Sequence, residues 1–311
     1  MPGGAEEAWK VIEQQQRNAD AKVEQAKLEL ARGLSEQQRL IQQRSQWFGK
    51  METAIESFKM QHLNDSVSHY YEILTKAAPT NWDYLIAAGR FEEDYMADYN
   101  RAMNYQLSAL NTTDNDTYKA TSYIIIGGIY EKLDDYSKAL EYYEKSLNIY
   151  LMIYGENASW GIANVSIGMG RVYSNQGDYS KALVCFEGAL KIFLLLNGDN
   201  HPAVATSYSY IGQIYFAQND YSKALDYFKK SLNLDLSFFG ENHPEVALSY
   251  YSIGSLYIIQ GDKSKALNYY EKSLKIRLSV YGENHPLTKE IMDLINVAAN
   301  SKVLQSPETT K

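Results

Sequence analysis

One cysteine, Cys185, is present in the 311 residues. No internal disulfide can form and no cysteine-based metal site can be assembled, so a reducing interior is expected. Six prolines and 19 glycines are too few for a sandwich of many short strands with turn-rich connections, which favours a mostly helical chain. Long apolar runs are also missing. Nothing approaches the ~20 uncharged residues of a membrane span, and the opening Met1-Pro2-Gly3-Gly4-Ala5-Glu6-Glu7 shows no basic patch followed by an apolar stretch. A cytoplasmic protein with no membrane insertion is expected. Positive charge is in deficit, the net charge being −8 and the pI about 5.3. That balance argues against a nucleic-acid backbone or an anionic membrane surface as the main partner. Phenylalanine is scarce, 9 residues against 27 tyrosines. A large apolar ring with a polar tip suits many half-buried positions between thin layers better than one deep core.

What is abundant is self-similarity. Tyr130, Tyr173, Tyr215 and Tyr257 are separated by 43, 42 and 42 residues, each three residues after a glycine: Gly127, Gly170, Gly212 and Gly254. Ala139, Ala182, Ala224 and Ala266 are each followed four residues later by an aromatic, namely Tyr143, Phe186, Phe228 and Tyr270. Residues four apart share one helix face. Tyr208, Ile211, Gly212 and Tyr215 form another helical stripe within the third block. Each block therefore holds two amphipathic helices, with glycine and alanine where they cross closely and the aromatic filling the adjoining gap.

The punctuation agrees. Asp135, Asp178, Asp220 and Asp262 precede each second helix, where a carboxylate accepts from first-turn amides. Gly155, Gly198, Gly240 and Gly282 follow it, as left-handed helix ends require. Pro202, Pro244 and Pro286 then restart the chain at a position that needs no amide hydrogen.

Gly-x-x-Tyr followed by Ala-x-x-x-Phe/Tyr resembles the tetratricopeptide repeat. The ending Tyr281-Gly282-Glu283-Asn284-His285-Pro286 resembles the 42-residue repeats of kinesin light chains and their bacterial relatives. The resemblance implies an all-α fold, a right-handed superhelical solenoid of antiparallel hairpins with a concave groove for peptides or partner helices. Four regular repeats are expected over 117–286, with 287–311 as a capping helix and tail. Residues 48–116 fit two degenerate hairpins. Val67, Tyr71 and Pro79 match the alanine, aromatic and terminal proline of a standard unit. Asp98-Tyr99-Asn100-Arg101-Ala102-Met103 echoes Asp135-Tyr136-Ser137-Lys138-Ala139-Leu140, with Gln106 in the aromatic's place.

Residues 1–47 differ, being rich in Glu, Gln, Lys, Arg and Ala. Trp9, Ile12, Ala19, Val23, Ala26, Leu30, Leu40 and Trp47 keep three- and four-residue steps, interrupted by Gln16, Gly33, Gln37 and Arg44. One long helix is expected. It forms either a coiled coil, giving self-association, or a helix folded back on the first hairpin through Trp47-Phe48.

No catalytic constellation emerges. His201, His243 and His285 recur once per turn before proline, which the turn itself explains, and no pair supplies the close mixed ligand set of a zinc site. Gly127-Gly128 and Gly168-x-Gly170 lie inside helical stripes and are packing glycines, not a phosphate loop. Cys185 is read as a small buried filler beside Phe186, with no oriented base. Neither cofactor nor metal is expected, nor an enzymatic activity.

The resemblance turns the first helix of each hairpin toward the groove, and subtracting the packed stripe leaves its exposed lining. That lining is Ile124, Gly128 and Glu131 in the first block, Asn164, Ile167, Arg171 and Ser174 in the second, Thr206, Ser209, Gln213 and Phe216 in the third, and Leu248, Tyr251, Ser255 and Ile258 in the fourth. It becomes more apolar toward the C-terminus, implying a partner with an apolar anchor, unless the terminal helix covers Tyr251 and Ile258. Arg171 and Gln213 are expected to be replaceable with little loss of stability. Two departures from the family matter. The lysine and asparagine set that holds a terminal carboxylate in chaperone-tail binders is missing, and Ser209-Tyr210 stands where kinesin light chains carry paired asparagines. Cargo transport is therefore not carried over. The reading is an interaction scaffold for a protein or peptide. The alternative is a ligand- or peptide-sensing regulatory module of a bacterial signalling or defence protein.

Overall fold

The computed structural model describes residues 64–155, 159–283 and 285–300, together with Gln25, Lys50, Met51 and Ile55. The coiled-coil or folded-back helix expected over 1–47 and the tail beyond Asn300 lie outside the described residues. Among those described, all regular structure is helical. The chain divides into two compact units, residues 1–97 and 98–311. That boundary falls inside the second of the two irregular hairpins expected from the sequence.

In the first unit, α1 (Asn64–Ala77) pairs with α2 (Trp82–Phe91). Val67, Tyr71 and Leu74 are buried on one side and Leu85, Ile86, Ala88 and Phe91 on the other, with the Tyr71 and Phe91 rings 5.7 Å apart. Asn81 caps α2 by accepting from the Tyr84 amide. A π-helical turn, Glu92–Met96, ends the pair at Ala97, whose φ is 51°. It carries Glu92 inward, where Ser68 Oγ donates to its carboxylate at 2.6 Å.

The second unit opens with α3 (Tyr99–Asn111) and continues as four hairpins: α4 (Asp116–Lys132) with α5 (Tyr136–Tyr154), α6 (Trp160–Asn175) with α7 (Tyr179–Asn197), α8 (Pro202–Ala217) with α9 (Tyr221–Phe239), and α10 (Pro244–Ile259) with α11 (Lys263–Tyr281). The last described helix, α12 (Pro286–Asn300), packs on α11. Each helix touches its hairpin partner most, and each second helix then packs on the first helix of the following hairpin.

The repeated residues explain this regularity. Asp135, Asp178, Asp220 and Asp262 each accept the backbone amide three residues on, and Gly155, Gly198, Gly240 and Gly282 end the helices at φ between 63° and 80°. At the hairpin crossing the aromatic of the second helix packs closely against a glycine of the first. A Cβ at Gly170 would stand 2.6 Å from Phe186, and one at Gly212 2.8 Å from Phe228. Only glycine permits that approach without displacing a ring. His201 and His243 accept the amides of Ala203 and Glu245 on Nδ1, and His285 likewise accepts from Leu287. The three histidines therefore act in their turns.

The tyrosine excess has a structural use. Tyr130 and Tyr142 stack with centroids 5.5 Å apart, Tyr215 and Tyr227 at 5.6 Å, and Tyr257 and Tyr269 at 5.7 Å. A third ring joins each pair at a tilt of 47°: Tyr123, Tyr208 or Tyr250. The lysines held by the capping aspartates, Lys138, Lys223 and Lys265, lie over these rings at 4.8 to 5.2 Å. Being solvent-exposed, those ion pairs add little individually. The second hairpin differs, with Cys185, half-buried, in the register of Tyr142, Tyr227 and Tyr269. Burial raises the pKa of its thiol.

Candidate functional site

The first helices α4, α6, α8 and α10 share one face of the array, and α4 and α6 come into direct contact across it. Asn164, Thr206 and Gln213 are exposed on these helices, and Ser174 and Ser209 are half-buried. Ile124, Ile167 and Phe216 are also half-buried but pack against the cores beneath. Ile258 is half-buried on α10.

Two of the predicted lining residues are bonded to each other. Glu131, at the end of α4, retains only 9% of its side-chain exposure, and Arg171 of α6 retains 35%. The guanidinium donates from Nε to Oε1 at 3.0 Å and from Nη2 to Oε2 at 2.7 Å, a fork-on-fork pair of the strong kind. The buried Tyr143 hydroxyl donates to Oε2 at 3.2 Å. Burial opposes the arginine's charge, but the bonds to Glu131 outweigh it and the pKa of Arg171 rises. Burial also drives the Tyr143 hydroxyl above the ordinary tyrosine range, with the charge of Arg171 opposing. This corrects one sequence expectation. Glu131 is not exposed, because its carboxylate turns inward to Tyr143 and Arg171. Arg171, expected to be replaceable with little loss of stability, neutralises that carboxylate across adjacent hairpins.

At the C-terminal end, α12 engages the predicted lining directly. Tyr251 donates its hydroxyl to Glu290 at 3.1 Å, and the Arg277 guanidinium lies 5.0 Å from the Tyr251 ring centre. Ser255 accepts from the Tyr270 hydroxyl at 3.1 Å. Tyr251 is thus held between the fourth hairpin and the last helix.

Two cavities open along the face. The smaller, about 120 Å³, is lined by Glu131, Arg171, Ser174, Asn175, Phe186, Tyr210, Gln213 and Ile214. The larger, about 250 Å³, lies between α8 and α10, with Thr206, Ser209, Tyr210 and Gln213 on one wall and Glu245, Leu248 and Ser249 on the other. Its remaining lining comes from α9: Ser231 and Asp235. Asp235 is only 5% exposed. Its Oδ2 accepts from Ser249 Oγ at 2.8 Å and from Ser231 Oγ at 3.4 Å. Burial raises its pKa, the Ser249 bond opposing.

The lining expected from the sequence was confined to first helices and did not include Asp235. The repeat register carries a signal that finds it. The position twenty residues after the recurring tyrosine is Tyr150, Phe193, Asp235 and Arg277 in the four blocks, and all four residues are buried. All four reach the following helix, Asp235 through its bond from Ser249 of α10. Tyr150 lies against Gly161, the Phe193 ring is 5.0 Å from Trp160, and Arg277 donates to the Leu287 carbonyl of α12. In the third block alone this place holds a short carboxylate. Among the described residues, no group of three or more His, Cys, Asp or Glu side chains is arranged to hold a metal ion, and no helix is long and apolar enough to cross a membrane.

Comparison with known proteins is consistent with this geometry. A family profile described as tetratricopeptide repeat matches residues 161–237 and 230–279, and a second of the same description matches 120–151. A search of curated protein sequences returns no match. Among solved structures, BtubC (BKLC) from P. vanneervenii is 19% identical, with 76% of this chain and 94% of that chain covered and a TM-score of 0.55. A signal-transduction ATPase with a tetratricopeptide-repeat sensor from Pyrococcus horikoshii is 17% identical at a TM-score of 0.60, with 79% of this chain and 36% of that one covered. A Rap protein crystallised with Competence and Sporulation Factor is 16% identical, also at a TM-score of 0.60, covering 80% and 74%. Kinesin-light-chain-like repeats from Podospora are 14% identical over 65% of this chain and 96% of that one, with a TM-score of 0.51. These likenesses concern the fold.

Proposed function

The chain is a tetratricopeptide-repeat protein, a protein-interaction repeat module of a typically non-enzymatic fold, and from that premise we propose that it is a scaffold or adaptor that binds a peptide or partner helix along the face of α4, α6, α8 and α10. The observation that supports this most is the cavity of about 250 Å³ between α8 and α10, lined by first-helix residues from both of these helices. Packed residues such as Ala224 and Phe228 are committed to holding helices together, so partner choice falls to the groove lining. Within it, Asn164, Ser174, Thr206, Ser209, Gln213 and Phe216 are the contact residues, with Ile124, Ile167 and Ile258 as apolar support. Tyr251 and Ser255 serve at the end shared with α12.

Selecting random seven-residue peptides on the full chain tests this reading. Enriched peptides should lose most of their binding to a Thr206→Ala/Gln213→Ala variant and keep it with Lys191→Ala, a change at an exposed residue of α7. Equal binding to all three would place the partner elsewhere. A second reading, a peptide-sensing module of a bacterial signalling or defence protein, draws support from the two similar structures at a TM-score of 0.60. One has a tetratricopeptide-repeat sensor, and the other was crystallised with Competence and Sporulation Factor. Under that reading peptide binding would change the arrangement of successive hairpins, which small-angle scattering of the full chain with and without a selected peptide would detect.

A further inference from the structure

The third hairpin departs from its neighbours in a coordinated way. Where Tyr150 and Phe193 meet the next hairpin with a large ring, Asp235 meets it with a short carboxylate, and a polar-lined cavity of about 250 Å³ stands beside it. The serines around it have changed partners as well. Ser146 and Ser273, at the place of Ser231 in the first and fourth hairpins, donate to the carbonyls of Ala120 and Ala247, whereas Ser231 turns to Asp235. Ser207, at the place of Ser249, donates back to Ala203 within its own helix, whereas Ser249 crosses from α10 to Asp235. Both hydroxyls go to Oδ2. Oδ1 receives no hydrogen bond among the described residues, and the cavity lining includes no lysine or arginine. A second carboxylate, Glu245, stands on the rim, and the only other titratable side chain of the lining is the Tyr210 hydroxyl. His243 adds its field from the turn before α10.

A buried carboxylate that lacks a counter-charge is costly, and proteins retain one where a cation arrives to complete it. We infer that Asp235 is the recognition carboxylate of a cation subsite that takes a lysine or arginine side chain of the bound peptide. The alkyl stem lies along Leu248 and Tyr210, and the charged head meets Asp235 Oδ1 with Glu245 at the rim. Ser231 and Ser249 hold the carboxylate in place through Oδ2. The subsite lies in the face proposed above to bind peptides, and that reading supplies the source of its cation.

Two measurements on the full chain separate the subsite from the groove. In the first, amide resonances are followed by NMR while n-butylammonium, n-butylguanidinium or neutral n-butanol is added. The two cations should shift the amides around Asp235 and Ser249 saturably at concentrations on the order of millimolar, and n-butanol should not. The response should vanish in Asp235→Asn, and in Asp235→Phe, which restores the kind of ring the second hairpin carries at Phe193 and so guards against a misfolded variant. Shifts that n-butanol reproduces, that appear elsewhere, or that persist in both variants would overturn the assignment. In the second, peptides selected on the wild-type chain should carry lysine or arginine at one fixed position, the residue enriched showing which head group fits. They should bind Asp235→Asn about thirtyfold more weakly or worse. Groove-binding peptides without that preference would refute the cation subsite and leave the peptide-binding reading intact. A positive cation titration with no peptide enriched would do the reverse.

Discussion

Arg171→Ala is the substitution whose consequence the structure fixes most closely. Removing the guanidinium takes away three donor contacts to Glu131 and leaves a carboxylate that is 9% exposed with the Tyr143 hydroxyl as its remaining partner. Breaking one side of a fully buried pair costs about 3–5 kcal/mol. Arg171 itself is 35% exposed, so water reaches the vacated place and the expected loss falls to about 2–3 kcal/mol. Neutralising the carboxylate first should change this. Glu131→Gln alone should cost about 1 kcal/mol, because Arg171 can turn its freed donors to solvent. Adding Arg171→Ala to Glu131→Gln should then cost only a few tenths of a kcal/mol more, giving a coupling of about 2 kcal/mol between the two positions. Urea unfolding of the four proteins at pH 7 measures the cycle, with Gln213→Ala as an exposed control expected within about 0.5 kcal/mol of wild type. Losses that add to within about 0.5 kcal/mol would show that the pair is not a coupled unit. An Arg171→Ala protein as stable as Gln213→Ala would refute the buried-charge argument outright.

Gly212→Leu should destabilise the third hairpin by about 1–3 kcal/mol, since even its Cβ meets the Phe228 ring at 2.8 Å; calorimetry checks this, and Phe228→Ala in the same chain should soften the effect of the leucine. Gln106 is fully buried in α3 with neither its amide nor its carbonyl hydrogen-bonded among the described residues. Gln106→Leu should therefore raise stability by about 1–2 kcal/mol in urea, and a loss would mean that the amide is satisfied in solution. The pKa of Asp235 is raised above its ordinary 3.8 by burial. A carboxyl raised on folding stabilises the fold fully below its unfolded pKa, and that contribution is lost as pH rises through the folded one. Asp235→Asn should thus flatten the stability-against-pH curve above about pH 4 and melt no lower than wild type at pH 7; a curve parallel to wild type would contradict the burial. Deleting residues 6–47 should turn an oligomer into a monomer if they self-associate, and light scattering of both forms would show equal masses if they do not.

Most of the array was legible because its determinants are local and recur. A capping aspartate, a crossing glycine and a left-handed glycine each act within one hairpin, so four copies of Gly127 or Asp135 carry the same message four times. The ion pair between Glu131 and Arg171 was not legible, because its partners are 40 residues apart and their meeting depends on how one hairpin is set against the next. Both lie on exposed-looking positions of their own helices, and Glu131 is held inward by Tyr143 of its own hairpin together with Arg171 of the next. Asp235 escaped for a different reason. Sequence reasoning took the second helices as packing elements throughout, whereas a short side chain at one of their buried positions opens a cavity on the face formed by the first helices. The fourfold comparison Tyr150, Phe193, Asp235, Arg277 marks such an exception, since a carboxylate among residues that bridge to the next helix has to be explained by its surroundings.

The second hairpin bears the mark of one further exception, and it gives the protein a probe of its own. Cys185 stands where three sister hairpins place the second ring of a tyrosine stack, and it is the one thiol in the chain. Linear arrays open piecewise, with neighbouring units retaining their structure while one frays. Half-buried and disfavoured as thiolate, Cys185 should react slowly with a disulfide reagent and faster whenever its own hairpin loosens. Timing that reaction in native buffer, with and without bound peptide, reads the breathing of a single repeat in an unlabelled, unmutated chain.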